Sequence, residues 1–132
     1  IGRGMKVNKE EILGMLVALE VYLQKDHDKE WVLWENQIQH ISDKATAIEG
    51  VRCEIHVPPH ANHVPSLRIM WDEKKIKISP DNLREELRLG HPSIQTVGNK
   101  TSVGITTWMM EPGQERIVAN RIQEILKRNQ NT

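Results

Sequence analysis

The first fifty residues carry their apolar positions at helical spacing. After Asn8 these positions form two stripes, one of Ile12, Leu16, Leu19 and Leu23 and one of Leu13, Val17 and Val21. Asn8 and Glu11 have the spacing of an N-terminal capping box. The wide apolar arc predicts a first helix that is buried on most of its circumference. A narrower stripe predicts a second helix that ends at Gly50; its members are Trp31, Trp34, Ile38, Ile41, Ala45 and Ile48.

After Gly50 the apolar positions recur at every second residue. Two such runs are present, Val51, Cys53, Ile55 and Val57 first, and Leu67, Ile69 and Trp71 after a loop that contains Pro58, Pro59 and Pro65. This alternation predicts two strands, each with one face turned toward a core. Ile76 and Ile78 predict either a continuation of the second strand or a return strand.

The remaining elements are marked by their ends. Ser79 and Pro80 predict the start of a third helix, which Gly90 ends. Strands are expected at 94–97 and 102–108, with a hairpin turn at 98–100, and a final helix opens near Pro112 and Gly113. The order predicts an α+β fold, in which long N-terminal helices precede a small, mainly antiparallel sheet with helices packed on one face. We expect linker helices over residues 1–50 and a small domain over 51–132.

Composition narrows the class of protein. The chain has 132 residues, and 18 Lys and Arg balance 18 Asp and Glu, so no net field favours nucleic acid or a membrane surface. No apolar run approaches the ~20 residues of a membrane span, and the lone Cys53 suits a reducing compartment. The chain starts without Met, in a basic, glycine-containing segment directly before the first helix. We therefore expect a detached C-terminal domain of a cytoplasmic protein.

Most candidate chemistry has a structural alternative. His56, His60 and His63 could hold a metal ion, but a loop of exposed, titratable imidazoles is the better explanation, and we predict no metal site. Cys53 occupies an inward strand position, where a thiol packs as a small apolar group. The four tryptophans could stack a ligand, although their stripes favour core or interface packing. No nucleophile elbow, phosphate loop or enclosed lysine is present, so we predict no catalytic residue.

Basic residues give the better binding candidates. Arg3 and Lys6 precede the first helix, whose free N–H groups and dipole attract an anion, so the three could hold a phosphate or carboxylate together. A frayed basic tail is the alternative. Arg68, on the face opposite Leu67 and Ile69, could clamp a carboxylate with two hydrogen bonds. An ordinary exposed strand arginine is the alternative there.

One motif resembles a known family. Arg3, Met5, Lys6, Val7, Lys9, Glu10, Glu11 and Ile12, followed by Leu16 and Leu19, resemble the start of the C-terminal part of selenocysteine synthases, the L-seryl-tRNA(Sec) selenium transferases. The likeness is greatest to the branch that includes ammonia-lyases acting on D-glucosaminate 6-phosphate. The later order of Pro65, Leu67, Ile69 and Trp71, then Ser79–Pro80, His91–Pro92 and Pro112–Gly113, also follows this family's small domain.

The resemblance implies a fragment of a fold-type I pyridoxal-phosphate enzyme, a transferase or lyase. It implies that Arg3 and Lys6 bind substrate or phosphate, whereas the cofactor lysine lies in a missing large domain. Arg68 is added to these binding residues from its strand position alone. It also implies a homo-oligomer and a small anionic amino-acid or sugar-phosphate substrate. Gln95–Thr96 and 105–107 depart from the selenium transferases, which disfavours transfer to a seryl-tRNA. The alternative function is a non-catalytic interaction module that docks through the Trp31 and Trp34 helix.

Overall fold

A computed structural model describes residues 4, 6–60 and 62–130 of the chain. Within them lie four helices and four strands in an α+β arrangement, as predicted: α1 (Lys9–Gln24), α2 (His27–Thr46), β1 (Val51–His56), β2 (Ser66–Trp71), α3 (Pro80–Leu89), β3 (Val97–Asn99), β4 (Ser102–Thr106) and α4 (Gln114–Arg128). The chain divides into two compact units, one ending at Glu30 and one beginning at Trp31. Most of α2 thus belongs to the unit that contains the sheet. The expected domain limits, 1–50 and 51–132, stay a prediction.

The cap of α1 is as predicted, but the burial of α1 is not. The Glu11 amide donates to Asn8 Oδ1 at 2.8 Å, and the Asn8 amide donates to Glu11 Oε2 at 3.1 Å. Yet α1 contains no buried residue. The prediction of a helix buried on most of its circumference is therefore wrong for this chain. A stripe pattern shows which face a helix can bury, but not whether the same chain supplies the cover.

The sheet is antiparallel throughout, with strand order β1-β2-β4-β3. On one face Leu67 pairs with Ile55 and Ile105, and Ile69 pairs with Cys53 and Val103. This face packs against three helices and forms the core. The buried helical residues of the core are Ile38, Ile41 and Ala45 of α2, Leu83 and Leu87 of α3, and Val118, Ala119, Ile122, Ile125 and Leu126 of α4. The predicted segregation of helices to one face is confirmed.

Several boundaries differ from those expected. The second helix ends at Thr46 rather than at Gly50. Ile76 forms only an isolated bridge with Gln130, so no strand covers 76–78. The third strand lies at Val97–Asn99 instead of 94–97, because Ile94 is a buried loop residue whose amide donates to the Leu87 carbonyl at 3.0 Å. A single buried residue in a loop has the same signature in the sequence as a strand position.

The signals at helix starts were more reliable than those inside loops. The Asn82 amide donates to Ser79 Oγ at 3.2 Å, with Pro80 as the first helical residue, as predicted for α3. Gly113 precedes α4 with φ +99°, a left-handed conformation that glycine adopts without strain. Each of these devices depends on three or four consecutive residues, which is why the sequence alone reveals them.

Candidate anion-binding site on the open face of the sheet

The face of the sheet opposite the core carries polar side chains around a hollow of about 430 Å³. It is built from the alternate positions of every strand, so its residues follow directly from the register that buries Leu67 and Ile69. The residues of this hollow that bear on its chemistry are His56, Ser66, Arg68, Ser102, Gly104 and Thr106. Polar groups therefore converge on one concave surface, which is what a ligand site requires.

Arg68 occupies the middle of this surface, on the inner strand β2. Its cross-strand neighbours are Glu54 on β1 and Gly104 on β4. Arg68 Nη1 donates to Glu54 Oε2 at 2.8 Å, and the two side chains are 43% and 54% exposed. A guanidinium carries five N–H donors, and in the described part of the chain the guanidinium of Arg68 hydrogen-bonds to Glu54. The remaining donors can bind an incoming anion.

Gly104 lies on the other side of Arg68, where the side chain of Val97 packs over it. A Cβ at this position would lie 2.8 Å from Val97 Cγ2, closer than such atoms approach in proteins. Val97 is the residue that pairs with Gly104 across the sheet, on the edge strand β3. A larger residue at position 104 would therefore push against Val97 and reduce the hollow beside the guanidinium.

The hollow also contains hydrogen-bonding groups that are fixed by neighbours. Ser66 Oγ donates to the Val64 carbonyl at 3.2 Å, and Ser102 Oγ donates to Asn99 Oδ1 at 3.1 Å. Nδ1 of His56 is buried and has no hydrogen-bond partner among the described atoms. A buried ring nitrogen without a partner costs free energy, so a bound polar molecule would find an unused group there.

The other predicted binding residues are placed differently. Arg3 lies outside the described residues. Lys6 is exposed and precedes the Asn8 cap in the unit that contains α1, whereas Arg68 belongs to the unit that begins at Trp31. The anion site expected from Arg3, Lys6 and the start of α1 stays a prediction.

One histidine and two tryptophans of the sheet unit, His63, Trp31 and Trp34, contact one another. His63 Nδ1 lies 3.0 Å from the Pro58 carbonyl oxygen, and its ring contacts Trp31 in a tilted arrangement with centroids 5.9 Å apart. Trp31 also contacts Trp34, at 6.3 Å between ring centroids, and Trp34 and Trp31 are each partly buried. Among the residues that the structure describes, no three His, Cys, Asp or Glu side chains are grouped to hold a metal ion.

Cys53 lies on the core face of β1, at the predicted inward position, and packs against the core. Burial raises the pKa of its thiol, while a hydrogen bond with Ser42 acts in the opposite direction. Such a thiol resists ionisation and is a poor nucleophile near neutral pH. None of the described helices is long and apolar enough to cross a membrane.

Sequence reasoning singled out Arg68 but missed Gly104, Ser66 and His56 as its neighbours. The alternation of β1 does place Glu54 and His56 on the face opposite Cys53, which is a usable signal. Nothing local pairs position 68 with position 104, because β2 and β4 are not consecutive strands. The hollow is therefore a product of the sheet order.

Comparisons with known proteins match this small α+β chain to one part of a longer protein. Over 130 residues, or 95% of its length, the chain is 22% identical to the D-glucosaminate-6-phosphate ammonia lyase of Salmonella typhimurium, and it covers 34% of that protein. No protein-family model matches the chain.

A solved structure gives the same result for the fold. The structure of D-glucosaminate-6-phosphate ammonia-lyase matches with a TM-score of 0.74 at 20% identity, covering 96% of this chain and 34% of that one. The chain thus spans about a third of the length of the relatives that it matches. The predicted resemblance to the ammonia-lyase branch is confirmed, whereas neither match concerns a selenocysteine synthase.

Proposed function

We propose that residues 1–132 are the C-terminal part of a pyridoxal-phosphate-dependent lyase or transferase, and that Arg68 binds an anionic group of its substrate. The position of Arg68 on the wall of the hollow, between the Glu54 carboxylate and Gly104, is the observation that carries this proposal. The similarity to an ammonia lyase along 95% of the chain supports it.

The chemistry of the hollow favours a small, anionic and hydroxylated substrate. A guanidinium binds a carboxylate or phosphate through two parallel N–H···O bonds, which fix both position and orientation. Ser66, Ser102 and Thr106 add hydroxyl groups within the same hollow. An amino acid or sugar phosphate carries such groups, and the related ammonia lyase is named for a sugar-derived phosphate. We favour this class over a seryl-tRNA.

The residues of this chain do not fit the covalent attachment of pyridoxal phosphate. An aldimine lysine needs an enclosed pocket that lowers its pKa. Of the ten lysines, Lys44 is half-exposed and the others are exposed. The proposal therefore assigns the cofactor, which supplies an electron sink when bound, to a large domain elsewhere in the intact protein. This chain would bind and orient substrate, with Arg3 and Lys6 as further anion-binding residues by family resemblance.

The proposal also concerns the partner, the oligomeric state and the location of the intact protein. Its partner would be the large domain, and a homo-oligomer follows from the same resemblance. A cytoplasmic location follows instead from the composition, with its single cysteine. Docking through Trp31 and Trp34 is the competing proposal. Trp31 contacts both Trp34 and His63, so the two tryptophan rings already have partners within their own unit. This favours the proposal of an enzyme fragment over that of a docking helix.

The test is an NMR titration of the isotope-labelled chain with inorganic phosphate and, separately, with D-glucosaminate 6-phosphate. We expect amide shifts around residues 66–68 and 104–106. Arg68→Gln should weaken binding about 10- to 100-fold, because a hydrogen bond to a charged group contributes about 1.5–3 kcal/mol. Arg52→Gln is the matched control, since Arg52 is exposed on the same sheet face but does not line the hollow.

Two results would contradict the proposal. One is equal weakening by Arg68→Gln and Arg52→Gln, which would indicate only a general charge effect. The other is a set of shifts confined to residues outside the hollow.

A further inference from the structure

The helix α1 has an exceptional surface for a helix in a soluble protein. Nine of its large apolar side chains are half or more exposed, from 50% at Ile12 to 72% at Leu23. At about 60–120 Å² of apolar surface for each fully exposed side chain, they expose roughly 300–650 Å². This is similar to the largest apolar patch of a typical monomer, about 300–600 Å², and patches of this size often mark an interaction site.

The apolar residues surround most of the helix. With about 100° between successive residues, Lys9, Glu10, Glu20 and Gln24 lie within one strip that is about 100° wide, which also contains Leu13 and Val17. The remaining arc of about 260° contains apolar or small residues, apart from the capping Glu11. A helix at the surface of a protein buries an apolar stripe of about 100° or a little more. The arc of α1 is more than twice as wide.

We infer that α1 is an interior helix of the intact protein, enclosed by the part of that protein outside residues 1–132. A second copy of α1 would cover one stripe and leave more than half of the arc in water. Several elements packed around the helix would cover all of it, with only the strip of Glu20 and Gln24 reaching solvent. The width of the arc therefore indicates that a whole domain, rather than a single partner helix, packs around α1.

The length of the related proteins supports the same occupant. The chain covers 34% of the matching solved chain, whereas 96% of this chain is covered. At most about five of the 132 residues lie outside the match, so most of α1 has a counterpart inside a chain about three times as long. This inference rests on the proposed function only in requiring a longer protein, and it does not depend on Arg68.

Two variants of equal charge test the inference. Met15→Glu places a carboxylate in the middle of the apolar arc, whereas Gln24→Glu places one in the polar strip. In the longer protein, produced from the extended coding sequence, we expect Met15→Glu to lower Tm by at least about 5 °C and Gln24→Glu to change it little. In the 132-residue chain neither variant should change Tm measurably, because α1 has no buried residue there.

Hydrogen exchange gives a second readout that does not require the variants to fold well. The amides of α1 should exchange much more slowly in the longer protein than in residues 1–132. The inference is overturned by a coding sequence with no such extension, by equal Tm for the two variants in the longer protein, or by a 132-residue dimer that Met15→Glu dissociates. A coding sequence without an extension would contradict both proposals. The Tm, exchange and dimer results concern α1 alone and the phosphate titration of Arg68→Gln concerns the anion site alone, so these measurements show which of the two proposals has failed.

Discussion

Glu54→Gln should strengthen anion binding by Arg68. Glu54 is the recorded partner of that guanidinium in the described part of the chain, at 2.8 Å, and an incoming carboxylate or phosphate has to compete with it. The substitution keeps the shape of the side chain and removes its negative charge. The structure therefore predicts a gain of function from the loss of an ion pair.

The size of the gain follows from the exposure of the pair. Arg68 and Glu54 are 43% and 54% exposed, and exposed pairs of this kind contribute about 0.2–1 kcal/mol. Removing the repulsion between Glu54 and a bound anion adds about 0.5 kcal/mol at a separation near 8 Å in water. Together these terms predict binding that is about 3- to 10-fold tighter. The free energy of unfolding should fall by no more than about 1 kcal/mol.

The assay is phosphate titration by NMR at low ionic strength, where screening is least. Glu49→Gln is the matched control, because Glu49 forms an exposed ion pair with Lys75 at 2.9 Å and does not line the hollow. Glu54→Gln should tighten binding and Glu49→Gln should leave it nearly unchanged. An equal gain in both variants would refute the competition between Glu54 and the ligand. So would an undiminished gain in Glu54→Gln combined with Arg68→Gln.

Two further predictions concern the core, and a third concerns Gly104, which lines the hollow. Ile41→Ala should cost about 2–5 kcal/mol of unfolding free energy in urea, since Ile41 is fully buried, whereas Val32→Ala, at a half-exposed site, should cost less than about 1. Alkylation of Cys53 should be slow at pH 7–8 and accelerate at higher pH, because the raised pKa keeps the thiol protonated in the folded state. Native stability should also decline at higher pH, since the folded state holds this proton more strongly than the unfolded state does. Fast labelling at pH 7 would contradict this prediction. Gly104→Ala should reduce phosphate binding by crowding the hollow.

The parts of the fold that the sequence predicts well are those specified by neighbouring residues. The Asn8 and Glu11 capping box and the Ser79–Pro80 helix start were both found at the expected positions. The position of β3 was wrong by three residues because Ile94 is buried without belonging to a strand. Burial and strand pairing produce the same apolar signal in a sequence, and only the tertiary structure separates them.

The burial of α1 shows a different limit. Its pattern was correctly interpreted as helical, and the wide apolar arc is present in the structure. No residue of α1 is buried in the described part of the chain, so the apolar arc stays exposed there. Hydrophobic periodicity describes what an element can bury, while actual burial depends on which other elements are available.

The candidate site depends on the sheet order more than on any motif. Because β2 is an inner strand, both neighbours of Arg68 are set by backbone pairing, with Glu54 on β1 and Gly104 on β4. The adjacent residues Leu67 and Ile69 are 0% and 1% exposed on the core face, so packing fixes the backbone that carries the guanidinium. Orientation of a substrate requires an anchored binding group, and an arginine on an exposed loop would lack this support. Core substitutions beneath β2 should therefore affect anion binding as well as stability, although they touch no residue of the hollow.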